Sequence, residues 1–291
     1  MAVKQDGTPA EETEPGRRGP AGQSPQPPRP ERPGRQASSA SGLHAAPADI
    51  ALVLVDFDDT LVDTAPRFLG ARRTLFTRLA HLGFDDARAR VVHHEQIDPR
   101  MMRRYGFGPN RLAHSFRETY RVLCEDQGLA ADEIILAELE AIGRAVAGTP
   151  PLLGGALDAL AELANRLPTV LYTQSGDPEY QLQCVRDAGV CEILGAERVR
   201  VCERKTADAF REAVNHFGIA EPALVWMVGN SVRSDVNPAL TAGAHAILVD
   251  TPEPWEFDVV DPVSPDFVHV RSFPEAVRFL LELSGTQPEG E

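Results

Sequence analysis

Apolar positions in this chain fall into two kinds of pattern. From Ile50, "IALVLVDF" is a short, nearly continuous apolar run, the signature of a strand buried on both faces. From Thr64 to Gly148 the period becomes helical. "PRFLGARRTLFTRLAHLG" repeats apolar residues at helical spacing and stops at a glycine. "PNRLAHSFRETYRVLCEDQG" places Leu112, Phe116, Tyr120 and Leu123 on one face, between Pro109 and Gly128. "ADEIILAELEAIGRAVAG" predicts a third helix, and "RRYGFGPNR" (Arg103 to Arg111) reads as a loop between helices. No strand pattern interrupts this block.

Alternation returns at Pro150. A helix ("GALDALAELANR") precedes a strand ("PTVLYTQ"), a helix ("DPEYQLQCVRDAG") and a short strand at "EILG" or "RVRVCE". A helix ("TADAFREAVNHFG"), a strand ("ALVWMVGNS"), a short helix ("DVNPALTAG") and a strand ("AHAILVD") follow, and "DFVHV" and the helix "FPEAVRFLLELSG" close the series. This alternation predicts an α/β fold, a doubly wound parallel sheet, with an all-helical block inserted after the first strand. The expected organisation is a core of residues 49–66 and 150–291 and a helical insertion over 67–149. Residues 1–48, rich in Pro, Gly, Ser, Arg and Glu, have little to bury and are expected to be disordered. "PQPPRP" within them is also a candidate docking segment.

Composition narrows the partners. With 291 residues and a formal charge of −14, the chain is poorly suited to nucleic acid or an anionic membrane. No apolar stretch approaches the roughly 20 residues of a membrane span, and the start of the chain lacks the apolar core of a secretory signal. Four cysteines without a CxxC pair fit small buried hydrophobes in a reducing cytoplasm. The bases are almost all arginine, with lysine only at positions 4 and 205.

Sites in open parallel sheets form at the carboxyl ends of strands. Four predicted ends carry suitable residues. After the first strand comes Asp56-Phe57-Asp58-Asp59-Thr60. One carboxylate there can attack an electrophile while another, protonated, serves a leaving oxygen; an acidic turn capping the next helix is the other reading. Thr173 ends "TVLYTQ" and offers a hydroxyl to a phosphoryl oxygen. Lys205 offers a compact positive charge where the chain otherwise uses arginine. In "VGNSVRSD", Asn230 and Asp235 offer oxygen ligands for Mg²⁺; Asp235 also suits a helix N-cap. His93 and His94 are expected at the surface.

In these four motifs, DxDxT, Thr, Lys and Gly-Asn-xxxx-Asp in that order, the sequence resembles the haloacid dehalogenase superfamily over about residues 50 to 285. The resemblance implies Asp56 as nucleophile, Asp58 as general acid and then base, and Thr173 and Lys205 as a phosphate clamp. It implies Mg²⁺ held by Asp56, the Asp58 carbonyl and Asp235, with Asn230 where the family often has Asp. Thr60 would brace the first loop and is placed, with Gln174, among the phosphate-binding residues. The expected activity is hydrolysis of a small phosphorylated metabolite through an aspartyl-phosphate; a phosphotransferase or mutase, or a non-catalytic binding protein, are the alternatives. The arginines between Pro66 and Asp126 make the insertion a basic lid over an acidic protein, and the "DTPEPWEF" loop is a possible border of the site.

Overall fold

The structure, a computed structural model, describes residues 35–36, 49–252 and 260–285. Seven parallel strands form one sheet: β1 (Arg35–Gln36), β2 (Leu52–Val55), β3 (Thr169–Gln174), β4 (Val199–Cys202), β5 (Val225–Gly229), β6 (His245–Val249) and β7 (Val268–Val270). Their order is β1-β7-β6-β5-β2-β3-β4. From β2 the chain builds outward through β3 to β4, then returns to the other side of β2 and builds through β5, β6 and β7. The strand order therefore reverses at β2, which is where open α/β sheets leave a crevice for ligands.

Among the described residues, the insertion after β2 contributes five α-helices: α1 (Ala65–His81), α2 (Asp86–Val91), α3 (Asp98–Tyr105), α4 (Arg111–Asp126) and α5 (Glu133–Arg144). α6 (Ala156–Arg166) leads from the insertion into β3, and α7 (Pro178–Asp187), α8 (Val190–Leu194), α9 (Ala207–His216), α10 (Asn237–Ala242) and α11 (Phe273–Leu283) follow β3. The doubly wound sheet and its helical insertion match the sequence pattern. Side-chain alternation in β2 explains the layering. Val53 and Val55 join one core with Leu160, Leu163, Phe273 and Leu280 of α6 and α11. Leu52 and Leu54 face the opposite core, with Phe210 and Val214 of α9 and Ala239 of α10. The insertion has a third core of its own, which includes Leu75, Phe76, Leu112, Phe116, Leu123 and Leu136.

Three expectations change. Of the two candidates for a short strand, "RVRVCE" holds β4, whereas "EILG" lies largely in α8. Arg35 and Gln36, expected to be disordered, pair with Val268 and His269 of β7, whose outer edge is open to another strand; the remainder of the tail prediction lies outside the described residues, as does most of the "DTPEPWEF" loop. His93 is fully buried rather than at the surface. A π-helical stretch, Val92–Ile97, shifts the helical register and turns its ring against Phe76 and Phe116, at centroid distances of 5.6 and 5.5 Å. The Thr119 hydroxyl donates to the Ser115 carbonyl at 2.8 Å, so the 3.1 Å contact between it and His93 Nδ1 requires the imidazole to donate. Nε2 is then unprotonated, and it is buried without a partner.

Burial, opposed by Asp98 and reinforced by Arg72, His94 and Arg111, pushes the His93 imidazole down to about 3. A depressed folded pKa adds stability above the unfolded value of about 6.5 and loses it as pH falls toward 3, at about 1.4 kcal/mol per pH unit. We expect urea-denaturation stability to fall more steeply between pH 6.5 and pH 4 in the wild type than in His93→Phe; parallel profiles would remove His93 as the source.

Candidate active site

The site is built at the strand-order reversal. Val55 pairs with Leu171 of β3 and with Val228 of β5, so the next residue, Asp56, emerges between the ends of both strands. Its amide donates to the Val228 carbonyl at 2.9 Å. Thr173 and Gly229 lie at the corresponding ends of β3 and β5, and Lys205 follows β4.

Lys205 is the electrostatic centre. Its Nζ donates to Asp56 Oδ1 and, at 2.7 Å, to Asp235 Oδ1. All three side chains are buried, with relative exposures of 7% for Asp56, 6% for Lys205 and 1% for Asp235. Burial pushes the Asp56 carboxyl well above its ordinary range, Lys205 opposes that rise, and Asp235 and Asp58 add to it. Burial alone would lower the Lys205 ammonium; Asp235 and Asp56 outweigh it and hold the group above its ordinary value. With both carboxyls ionised, two carboxylates on one ammonium would carry a net negative charge where charge is expensive to bury, a charge that adds to the rise at Asp56 and that a bound cation would offset.

Asp235 reaches this position because residue 229 is glycine. A Cβ there would lie 2.3 Å from both Cγ and Oδ2 of Asp235. The Ser231 amide fixes the other carboxylate oxygen at 3.0 Å. Asp235 is thus a buried partner of Lys205 rather than the helix cap considered from sequence, and the Ser231 side chain caps that turn by accepting from the Ser234 amide.

Asp58 sits on the cavity side of the same loop. Its Oδ1 accepts from the Thr64 hydroxyl at 2.7 Å, and its Oδ2 from Gln181 Nε2 at 2.7 Å. The same Gln181 nitrogen donates to Thr173 Oγ1 at 3.0 Å, which leaves the Thr173 hydroxyl proton available for a ligand. Asp59, with φ of 56°, is the sole non-glycine residue of positive φ reported among the described residues. Aspartate tolerates this region better than most side chains. Its carboxylate accepts from the amides of Thr64 and Ala65, at 2.9 and 2.7 Å, where α1 begins. The acidic turn thus anchors a helix through Asp59, while Asp56 and Asp58 face the cavity.

A cavity of about 190 Å³ lies over this group. Asp56, Asp58, Thr173, Gln174, Lys205 and Asn230 line it from the core, and Phe68, Phe107 and Val146 from the insertion. Gln174 also braces the Lys205 loop, its Oε1 accepting from the Lys205 amide at 2.8 Å. Thr60 does not belong with the phosphate-contacting residues: it is fully buried, its hydroxyl has no partner, and it is not among the lining residues. Above the site the insertion meets the core backbone to backbone. A Cβ on Gly176 would lie 2.6 Å from the Tyr105 carbonyl oxygen, and one on Gly106 3.0 Å from Gly176 Cα.

Gln181, Thr64 and Ser231 were missed from sequence. Gln181 carried a signal, as the one polar residue on the face of α7 otherwise formed by Cys184, Val185 and Ala188.

Among the described residues no three His, Cys, Asp or Glu side chains converge as a metal site. A hard divalent cation nonetheless suits the donors present. Asp56, Asp235 and Asn230 offer oxygen only, as Mg²⁺ requires, and the surplus negative charge beside Lys205 favours a cation there.

The model for haloacid dehalogenase-like hydrolases matches residues 50–243. The chain belongs to this family. A haloacid dehalogenase-like hydrolase of Xanthomonas campestris is similar in structure, with a TM-score of 0.65, 24% identity, and coverage of 82% of this chain and 100% of that one. A HAD family hydrolase of Deinococcus radiodurans with bound phosphate and sodium gives a TM-score of 0.54 at 19% identity, covering 84% and 100%. A HAD-hydrolase of Bacillus subtilis bound to magnesium gives 0.53 at 17% identity, covering 79% and 97%. Comparison with curated proteins returned no match.

Replacing Gly229 by Ala should push Asp235 off Lys205. A displacement on the order of 1 Å in such a constellation costs about 100-fold in rate. We expect a loss of that order in kcat/KM for any substrate turned over, with far-ultraviolet circular dichroism unchanged; full activity would show that Asp235 is not needed where the structure places it.

Proposed function

We propose that this hydrolase cleaves phosphate monoesters of small metabolites by way of an aspartyl-phosphate on Asp56, with Mg²⁺ as cofactor. The observation that carries the reading is Asp58, a second carboxyl group held at the cavity beside the nucleophile by Thr64 and Gln181. A halide leaves carbon as a stable anion and needs no proton, so a dehalogenase has no use for a second acid. An alkoxide leaving phosphorus does need one.

Asp56 attacks phosphorus in line with the departing oxygen, and the ester P–O bond breaks as the acyl-phosphate forms. Lys205 and the Thr173 hydroxyl hold the anionic oxygens. Thr64 and Gln181 hold the Asp58 carboxyl at the cavity, where in its acid form it carries the proton that a leaving oxygen needs. Asp58 gives that proton to the leaving alcohol, then withdraws one from the water that attacks the acyl-phosphate, restoring Asp56 and releasing phosphate. A magnesium ion held by Asp56, Asp235, Asn230 and the Asp58 carbonyl would neutralise charge on the phosphoryl group.

Asp56→Asn should abolish turnover of p-nitrophenyl phosphate, and excess EDTA should do the same to the wild type. Asp58→Asn should retain the first chemical step with p-nitrophenyl phosphate, whose leaving group needs little protonation. It should lose about 100- to 10,000-fold with alkyl phosphates, while a phosphorylated Asp56 accumulates and is detected by mass spectrometry. Turnover by Asp56→Asn at the wild-type rate, or a label on another residue, overturns the proposal.

A further inference from the structure

The basic lid expected from the sequence is largely neutralised within itself. Arg78 pairs with Glu138, Arg88 with Asp126, Arg100 with Glu118 and Arg117 with Glu140. Arg72 and Arg111 share the buried carboxylate of Asp98. These guanidinium groups have carboxylate partners inside the fold, which accounts for them without a ligand.

Four other arginines differ, and they come together from both parts of the molecule. A second cleft, of about 640 Å³, adjoins the catalytic cavity and shares Phe107, Gln174, Lys205 and Ser234 with it. Arg103 and Arg104, from the last turn of α3, line one side; Arg204 and Arg233, from the loops after β4 and β5, line the other. All four are exposed, and none makes an ion pair among the described residues. Arg104 lies 5.3 Å from the centroid of Tyr105, whose ring stacks on His114. Of the acids on this cleft, Asp98 is already paired with Arg72 and Arg111, which leaves Glu203 against four cations. Lys205 is held by Asp56 and Asp235. A concentration of free positive charge in a chain of formal charge −14 is local, not compositional.

Position ties this cleft to the reaction. Arg204 is the residue before Lys205, and Arg233 stands between Asn230 and Asp235. Covalent geometry therefore holds two of the four within one or two residues of the catalytic centre, at about 3.8 Å per Cα step. Guanidinium groups bind phosphate and carboxylate oxygens in pairs. We infer that the substrate carries a second anionic group, a phosphate or a carboxylate, which extends from the catalytic cavity into this cleft and is bound by Arg103, Arg104, Arg204 and Arg233. The inference rests on the phosphatase reading above and specifies its substrate as a doubly anionic small molecule.

Matched pairs test it, with Mg²⁺ in excess. Fructose 1,6-bisphosphate is compared with fructose 6-phosphate, and 3-phosphoglycerate with glycerol 3-phosphate; p-nitrophenyl phosphate reports on the chemistry alone. In at least one pair the doubly anionic member should have kcat/KM about tenfold higher or more, the worth of one charged hydrogen-bonding contact. The favoured pair identifies the second group as phosphate or carboxylate. Arg204→Gln/Arg233→Gln and, independently, Arg103→Gln/Arg104→Gln should each draw that ratio toward one; because the readout is a ratio, a general loss of activity does not imitate it. Equal kcat/KM within both pairs, while p-nitrophenyl phosphate is turned over, overturns the inference and leaves the phosphatase reading standing. A ratio unchanged in both double variants also overturns it, and no turnover of any of these esters overturns both.

Discussion

One ammonium group holds this site together. Lys205 Nζ lies between Asp56 and Asp235, which arrive on different strands and would otherwise repel each other in a region nearly free of water. A buried charge without its partner is strongly destabilising, on the order of 3–5 kcal/mol, so the loops after β2, β4 and β5 are held by the same interaction that positions the proposed nucleophile. Other features follow from that requirement. Gly229 is needed so that Asp235 can come close, Gln174 so that the Lys205 backbone is fixed, and Ser231 so that the second oxygen of Asp235 has a donor. Positive charge satisfies the triad only in part, and the remaining negative charge is what an all-oxygen cation site would use.

A second set of contacts assigns separate tasks to three neighbouring acids. Asp56 faces Lys205, Asp58 faces Thr64 and Gln181, and Asp59 turns back onto the start of α1. The left-handed backbone at Asp59 makes this division possible. It reverses the chain at once after Asp58, so that consecutive carboxylates serve a cavity and a helix terminus. Gln181 then links Asp58 to Thr173 across the cavity floor, joining the proposed acid to the proposed phosphate-binding hydroxyl through a single side chain.

The residues legible in the sequence were those placed by topology alone. Thr173 lies at the end of a strand, and Asp56, Lys205 and Asp235 follow strands, that must end on one side of a parallel sheet, and a strand-order reversal brings such ends together whatever the loops do in detail. Gln181 was less legible because its partner Asp58 is 123 positions away, and only the packing of α7 onto the loop after β2 relates them. Thr60 failed for the opposite reason: proximity in sequence suggested a ligand contact, while the tight turn through Asp59 buried it. His93 was misplaced because one π-helical stretch rotates its face by a fraction of a turn, which a uniform helical period does not register. The arginine-rich lid was visible as composition, but which of its charges are spent internally depends on carboxylates dozens of residues away, such as Glu138 for Arg78 and Asp126 for Arg88.

The meeting of Gly106 with Gly176 has an energetic consequence. Here two bare backbones touch. Parting them uncovers almost no greasy surface, and the free-energy penalty for exposing apolar area scales with that area at roughly 25 cal/mol per Å². Separating the two backbones at this point would therefore expose little apolar area, whereas the hydrophobic cores on either side stay buried.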